Sequence, residues 1–305
     1  MFELLSYGSY CASIAENKGG AEGNDVPALT NLRDLVAPLC RERYRRIDRF
    51  IQLSLLGSGL CAERAADSIE LQNTTDLYMA SAQAAIGNTV EVQRQIFKQH
   101  QHAKPVNFIN TLSNTAGYYV ARNLGLNRRN LFVSRGSNSF EAALQLIALD
   151  FASGVSQQAL LGVVDECLEP LDEHRQRLGL SADAVLAEGS HWMLLRPLLG
   201  LAIDCRNTLA CPHTLIGQAA LYDWLHSQEL ANVAVSVNAE ESHQELLGPD
   251  VVDVLSALPE FQANIGYYGS RSAGVVAQFL AQDSQASLIS INPDSLGRFH
   301  VMRVN

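Results

Sequence analysis

The sequence predicts an α/β protein built in layers, and three observations lead there. Short runs rich in β-branched and aromatic residues alternate along the chain with longer segments whose apolar residues recur at helical spacing. Strands and helices of these lengths, following one another, are the pattern of helices packed on sheets. The chain has 305 residues, 47% of them hydrophobic, which is enough to bury a large core.

The elements follow in order. A strand over residues 2–12 leads to a glycine-rich loop at 19–23, and helical segments are expected around 43–66 and 80–100. Leu131, Phe132 and Val133 form an apolar run suited to a buried strand, and residues 134–138 supply the small polar residues and the glycine of a sharp reversal. Beyond the reversal Ser139 is placed as an N-cap and Glu141 falls in the first turn. Ala142, Ala143, Leu146, Ile147 and Phe151 then recur at helical spacing until Gly154 stops the helix. A strand over 159–166 follows. The second half reads as segment 184–201 with a strand at 192–195, a helix at 215–226 and a strand at 233–237. Helices at 251–258 and 273–281 and closing strands at 288–291 and 299–304 complete it.

The strand, turn and helix over 131–151 are built to present a nucleophile. A side chain at this elbow would meet the unpaired N–H groups and the positive end of the helix dipole, the setting that turns a cysteine into a thiolate. This chain has Gly136 there.

The surrounding residues carry a resemblance. Asn110-Thr111-Leu112-Ser113-Asn114-Thr115-Ala116-Gly117 with Leu124-Gly125-Leu126, then Gly162-Val163-Val164-Asp165-Glu166, resemble the segments flanking the active-site cysteine of β-ketoacyl synthases. Arg45-Arg46-Ile47-Asp48-Arg49-Phe50 is similar to their Arg-Met-Asp-Arg-Phe stretch, and Ala187-Glu188-Gly189 to their Gly-Glu-Gly-Ala turn. The resemblance implies a thiolase-like five-layered α-β-α-β-α sandwich in one domain spanning 1–305, with halves of about 1–183 and 184–305. The second half is shortened, because the stretch between the elbow and the Asn238-Ala239-Glu240 motif is shorter than in ordinary synthases.

Carried over position by position, the resemblance puts Gly136 at the nucleophile, Glu240 at the first catalytic histidine, Tyr267 at the second and Gln262 at the lysine. His243 is the rival for the first histidine position. Decarboxylative condensation needs a thiolate to hold the acyl chain and donors to stabilise the malonyl enolate. Glycine cannot be acylated, and glutamate would repel the enolate. The resemblance therefore implies an inactive relative, the chain-length factor of type II polyketide or aryl polyene systems. Such a subunit pairs with an active β-ketoacyl-ACP synthase, meets the acyl carrier protein through the complex and bounds the tunnel of the growing chain. Residues 107–115 and 134–139 are the expected contact, with Asn110, Thr111, Asn114, Ser134, Arg135 and Ser139 as candidates, and an exposed apolar patch is expected beside them.

Two other readings stay open. Ser137, with Ser134 beside it, could act as a relocated nucleophile for acyl transfer or thioester hydrolysis, using His191, His213 or His243 as base and Asp165 to orient it. The chain could also be a non-catalytic module that binds the carrier protein alone.

Composition narrows the classes further. The formal net charge of −10 argues against nucleic acid and against an acidic carrier docking broadly on this surface. The local exception is Arg41, Arg43, Arg45, Arg46 and Arg49, read as one helical segment that could meet a phosphopantetheine or an acidic carrier helix, or pair with Glu42 and Asp48. No apolar stretch has membrane-spanning length and the first residues do not read as a signal peptide, so a cytoplasmic protein is expected. The 6 cysteines form no Cys-x-x-Cys pair and are expected to be reduced, and His100 and His102 lack companion ligands. Neither a metal nor a cofactor is expected.

Overall fold

The computed structural model describes residues 1–14, 31–198, 207–238, 245–282 and 285–305. The first half contains strands β1 (Phe2–Ser13), β2 (Thr75–Ala80), β3 (Asn130–Val133), β4 (Gln158–Asp165) and β5 (Ala187–Pro197). Its helices are α1 (Arg33–Val36), α2 (Arg49–Arg64), α3 (Ile86–Gln93), α4 (Pro105–Asn110), α5 (Asn114–Leu124), α6 (Ser139–Ala152) and α7 (Leu171–Leu178). The second half adds β6 (Thr208–Leu209), β7 (His213–Ile216), α8 (Gly217–His226), β8 (Val233–Val237), α9 (Pro249–Ser256), α10 (Arg271–Leu280), β9 (Ser287–Pro293) and β10 (Arg298–Val304).

Alternation along the strands builds the layers. On β2, Leu77 and Met79 point to one side and Tyr78 and Ala80 to the other, because successive side chains leave a strand on opposite faces. The first side packs on α2 and α5 through Phe50, Leu53, Leu55 and Val120. The second packs on α6 and α10 through Phe140, Ala143, Leu144, Ile147, Val275 and Val276. The same two helices also cover Leu288 of β9 and Met302 and Val304 of β10. The outer face of those strands, Ile289, Ile291, Phe299 and Val301, packs on Leu221 and Leu225 of α8 and Val251 and Leu255 of α9. The result is the expected α-β-α-β-α sandwich, with α6 and α10 as its middle layer.

Strand order is β3-β2-β4-β5-β1-β6-β10-β9-β8. In the first half β2 pairs parallel with β3 and β4, and β5 runs antiparallel to β4 and β1. The second half repeats this plan: β8 and β9 are parallel and β10 is antiparallel to β9. Among the described residues it has no strand equivalent to β3. Instead, the segment 259–261 covers the edge of β8, where Val235 N–H donates to the Pro259 carbonyl at 2.8 Å and Phe261 N–H to the Val235 carbonyl at 2.7 Å. The two-residue β6 bonds both β1 and β10 and joins the two halves. Trp192 is fully buried in β5, packed so closely on β4 that a Cβ at Gly162 would lie 2.4 Å from its ring, whereas Trp224 packs partly exposed on the outer second-half layer.

Several expectations need correcting. β5, which follows the expected division at about 183/184, pairs with β4 and β1 of the first-half sheet. The helix expected at 43–66 begins only at Arg49, where the Asp48 carboxylate caps it by accepting from Ile51 N–H at 2.7 Å. Residues 41–48 are an irregular loop in which Arg46 has φ +59°, so the arginines share no helix face. Glu42 and Asp48 do not pair with them: Glu42 bonds Arg122 at 2.5 Å, and Asp48 bonds Asn88 and the helix start. The segment 80–100 opens with the last residue of β2, then forms α3 and a π-helical turn over Arg94–Lys98. The expected loop at 19–23 lies outside the described residues. Among the described residues Cys11, Cys40, Cys61, Cys167 and Cys211 are free thiols, no cluster of three or more His, Cys, Asp or Glu could hold a metal, and no helix is long and apolar enough to cross a membrane.

Candidate functional site

The elbow between β3 and α6 is tied from within. Gly136 has φ +56°, a left-handed conformation that favours glycine. Its carbonyl accepts from the Ser139 N–H at 3.2 Å and lies 2.7 Å from the Ser139 hydroxyl, which in turn accepts from Arg135 N–H at 2.8 Å. Ser139, the expected N-cap, thus stitches the turn, while Asn138 holds the cap position without a side-chain cap bond. Nothing lies within 4 Å of the place a Cβ on Gly136 would occupy. The elbow is held in place from within and carries no side chain at Gly136.

The start of α10 approaches the same point. Ser270 N–H donates to the Asp165 carboxylate at 2.7 Å, and Asp165 also accepts from the Ser81 hydroxyl at 2.7 Å and Ala82 N–H at 2.9 Å. Full burial raises the pKa of Asp165, and these hydrogen bonds oppose the shift. Before the helix, Tyr267 is held by Val185 and Ala187 through backbone bonds of 2.7 and 2.9 Å, and the Arg271 guanidinium sits 5.1 Å from its ring centroid.

Between the two helix starts lies a cavity of about 40 Å³ lined by Ser137, Asn238, Tyr267, Arg271, Ser272 and Asn292 among others. The Asn292 amide donates to the Ser137 carbonyl at 3.1 Å and the Asn238 amide to the Ser290 hydroxyl at 3.2 Å. Two helix N-termini, one guanidinium and two amides make this a donor-rich, electropositive spot.

The structure brings Ser137 and Tyr267 together beside the elbow, but not Gln262. That residue is exposed and its amide donates to Glu260 at 3.0 Å, away from the cavity. Glu240 and its rival His243 lie outside the described residues, although Asn238 of the same motif lines the cavity. Among the described residues no histidine lines it. His191 is buried on β5 with Nδ1 2.8 Å from the Ser9 hydroxyl and Nε2 2.6 Å from the Tyr268 hydroxyl, and burial pushes its pKa down to about 3. His213 is exposed on β7 near Trp224, and Asp165 is spent on backbone and serine donors. A relocated Ser137 nucleophile finds none of these bases.

Of the contact candidates, Asn114, Ser134 and Arg135 are exposed and Thr111 is half-buried. Asn110 and Ser139 are buried and used inside the chain, Asn110 donating to the Arg46 carbonyl at 3.4 Å, so neither is available to a partner. Phe108, Ile109 and Leu112 beside them are 60%, 55% and 53% exposed.

Sequence reasoning missed Asn292 and the inward role of Glu141. Glu141 was placed in the first turn of α6, where an acid suits the dipole, but its side chain is 1% exposed and burial pushes its pKa up to about 7. One signal was present: Ser270-Arg271-Ser272 at the start of α10 mirrors Ser137-Asn138-Ser139 at the start of α6, which marks the two as counterparts.

With the geometry in place, the fold can be compared with solved structures. The chain is similar to the ishigamide ketosynthase/chain length factor, with TM-score 0.72 and 15% identity over 99% of this chain and 98% of that one. A beta-ketoacyl synthase from Burkholderia phymatum STM815 gives TM-score 0.67 and 11% identity over 100% and 99%. A chain of a type II PKS ketosynthase complex with its acyl-carrier protein gives 0.63 and 11% over 99% and 98%. No protein-family model and no curated protein sequence matches the chain. At these identities the likeness establishes the thiolase-like fold of ketosynthases and chain-length factors.

Proposed function

We propose that this chain is a non-condensing, ketosynthase-like subunit that pairs with an active β-ketoacyl-ACP synthase and shapes the tunnel for its growing chain. The bare elbow supports the reading: Gly136, which the resemblance puts at the nucleophile, has left-handed backbone with open space where a side chain would stand. Glycine offers no group to accept an acyl chain. Tyr267 at the second histidine position adds to this.

The exposed Phe108, Ile109 and Leu112 supply the apolar surface that an obligate partner would cover. The outer edge of β3, next to the elbow, has no strand partner among the described residues and offers a second strip for the same contact. An acidic carrier would meet Arg33, Arg41, Arg43, Arg45 and Arg46, which line a cleft of about 840 Å³ and, among the described residues, form no ion pair. Within this reading the product belongs to type II polyketide or fatty-acid-like assembly, with aryl polyenes as the finer proposal. Co-expression with a neighbouring ketosynthase, followed by size-exclusion chromatography, tests it. A stable mixed dimer that makes product only when both chains are present is the expected result. A homodimer that ignores every such ketosynthase, or a lone chain that condenses malonyl thioesters, overturns the proposal.

A further inference from the structure

The junction of the two helix starts holds an unusual concentration of unsatisfied groups. Asn138 Oδ1, both carboxyl oxygens of Glu141, the hydroxyls of Ser270 and Ser272 and Nε of Arg271 are all buried without a hydrogen bond of good geometry, and they make up half of such side-chain atoms among the described residues. Ser272 and Asn292 lie close enough to the Glu141 carboxyl, and Ser270 to Asp165, only to oppose the rise in those pKa values. Buried polar groups are nearly always paired, so a cluster of unpaired ones marks a place where something binds. Glu141, Ser270 and Ser272 are each no more than 1% exposed. Ser272 and Arg271 line the cavity of about 40 Å³, and the Glu141 carboxyl lies against Ser272 and Asn292, its lining. That volume takes roughly three water-sized atoms.

We propose that this cavity is a binding site for a small carboxylate, held by Arg271, Ser272 and the α6 and α10 N-termini, with Glu141 beneath it controlling occupancy by its protonation. The chemistry follows from the donors. A three-atom carboxylate fits the volume, accepts from a guanidinium Nε–H and a serine hydroxyl, and is favoured by two dipole ends. Neutral Glu141 can donate its proton toward the ligand through the Ser272 hydroxyl. Ionised Glu141 would draw the same hydroxyl to itself and repel the anion.

Among the described residues, the other charged or titratable groups nearby are Arg271 on α10, Asp165 at the end of β4, which bonds Ser270 N–H, and Tyr267 and Tyr268 on the loop before α10. Burial raises Asp165 and Tyr268 as well, so the Glu141→Gln comparison is what separates Glu141 from Asp165 as the source of a pH dependence. Glu141 itself is pushed up by burial to about 7. This inference stands apart from the pairing reading, since a chain with no ketosynthase partner could still bind the anion.

Calorimetric titration of the full chain with sodium formate at constant ionic strength tests it. Affinity is expected to fall about 30-fold between pH 6 and pH 8.5, the linkage for one group titrating near 7 that must be protonated. Glu141→Gln should bind formate at both pH values alike, and Arg271→Leu should lose binding. A thermal-shift series on the unmodified chain gives the same answer without variants: formate should raise Tm at pH 6 and leave it unchanged at pH 8.5. Inorganic phosphate, which carries a fourth oxygen that Arg271 and Ser272 do not address, should give a weaker response than formate. Formate binding that survives Arg271→Leu, a Glu141→Gln profile that keeps the original pH dependence, an equal response to phosphate, or no formate response at pH 6 would each overturn the proposal.

Discussion

The starts of α6 and α10 occupy corresponding places in the two halves, yet one is open and the other locked. At α6, Gly136 has empty space where a side chain would stand. At α10, a Cβ on Gly269 would lie 2.2 Å from Ala82 Cβ, and one on Gly274 would lie 1.9 Å from the Tyr268 hydroxyl oxygen and 2.9 Å from His191 Nε2. Ser270 is bonded to buried Asp165 as well. The open start faces outward beside exposed Arg135, and the locked one is built into the core. The same helix–strand plan therefore serves two purposes: the second half is a fixed wall, and the first half presents a surface.

Breaking the wall should have the largest effect. Gly274→Val must displace Tyr268 or His191 in the middle layer, and a loss of about 3 kcal/mol or more is expected by chemical denaturation. A loss below about 1 kcal/mol would mean the wall is softer than its packing.

The acids at the end of β4 come next. Burial pushes Glu166 up to about 8, against the opposing hydrogen bond from Gly87 N–H at 2.7 Å. Because the folded state holds this proton more tightly than the unfolded chain, its contribution is complete below about pH 4.5 and is lost as pH rises through about 8. Tm should therefore fall between pH 6 and pH 9, and Glu166→Gln should flatten that fall, with a gain on the order of 2–3 kcal/mol at pH 9. Parallel curves for the two proteins would remove Glu166 as the cause.

On the surface of the open half, Phe108→Asp with Leu112→Asp should leave the melting temperature almost unaltered and weaken the mixed dimer by about 2 kcal/mol or more, read by analytical ultracentrifugation. Unchanged dimerisation would move the interface elsewhere. The smallest effect belongs to the elbow. Gly136→Ala meets no atom, so its cost is the left-handed backbone alone, about 1 kcal/mol. Gly136→Cys should behave alike and gain no condensing activity, because no described histidine reaches the cavity.

Legibility followed the distance over which a signal acts. β4, β8 and β10 were readable within a residue or so, because their apolar runs are buried on both faces. β2 was missed: it opens on Thr75 and Asp76, polar residues whose burial only neighbouring strands supply. α5 carries asparagines and a glycine, so its buried stripe of Ala116, Val120 and Leu124 was hidden in a polar segment. At the site the elbow was legible because strand, turn and helix adjoin in sequence. Gln262 and the arginine loop were misplaced because their positions depend on chain segments far away. Glu141 was seen as a dipole partner, and only the packing of α10 against α6 makes it a buried acid.

The two tryptophans fall in different layers, Trp192 sealed in β5 and Trp224 half-covered on α8. Each half therefore carries its own optical reporter. In a Trp192→Phe or Trp224→Phe variant the remaining indole reports unfolding of one half alone. Coincident transitions would show that the shared α6–α10 layer and β6 make the halves one cooperative unit, and separated transitions would show that wall and surface melt independently.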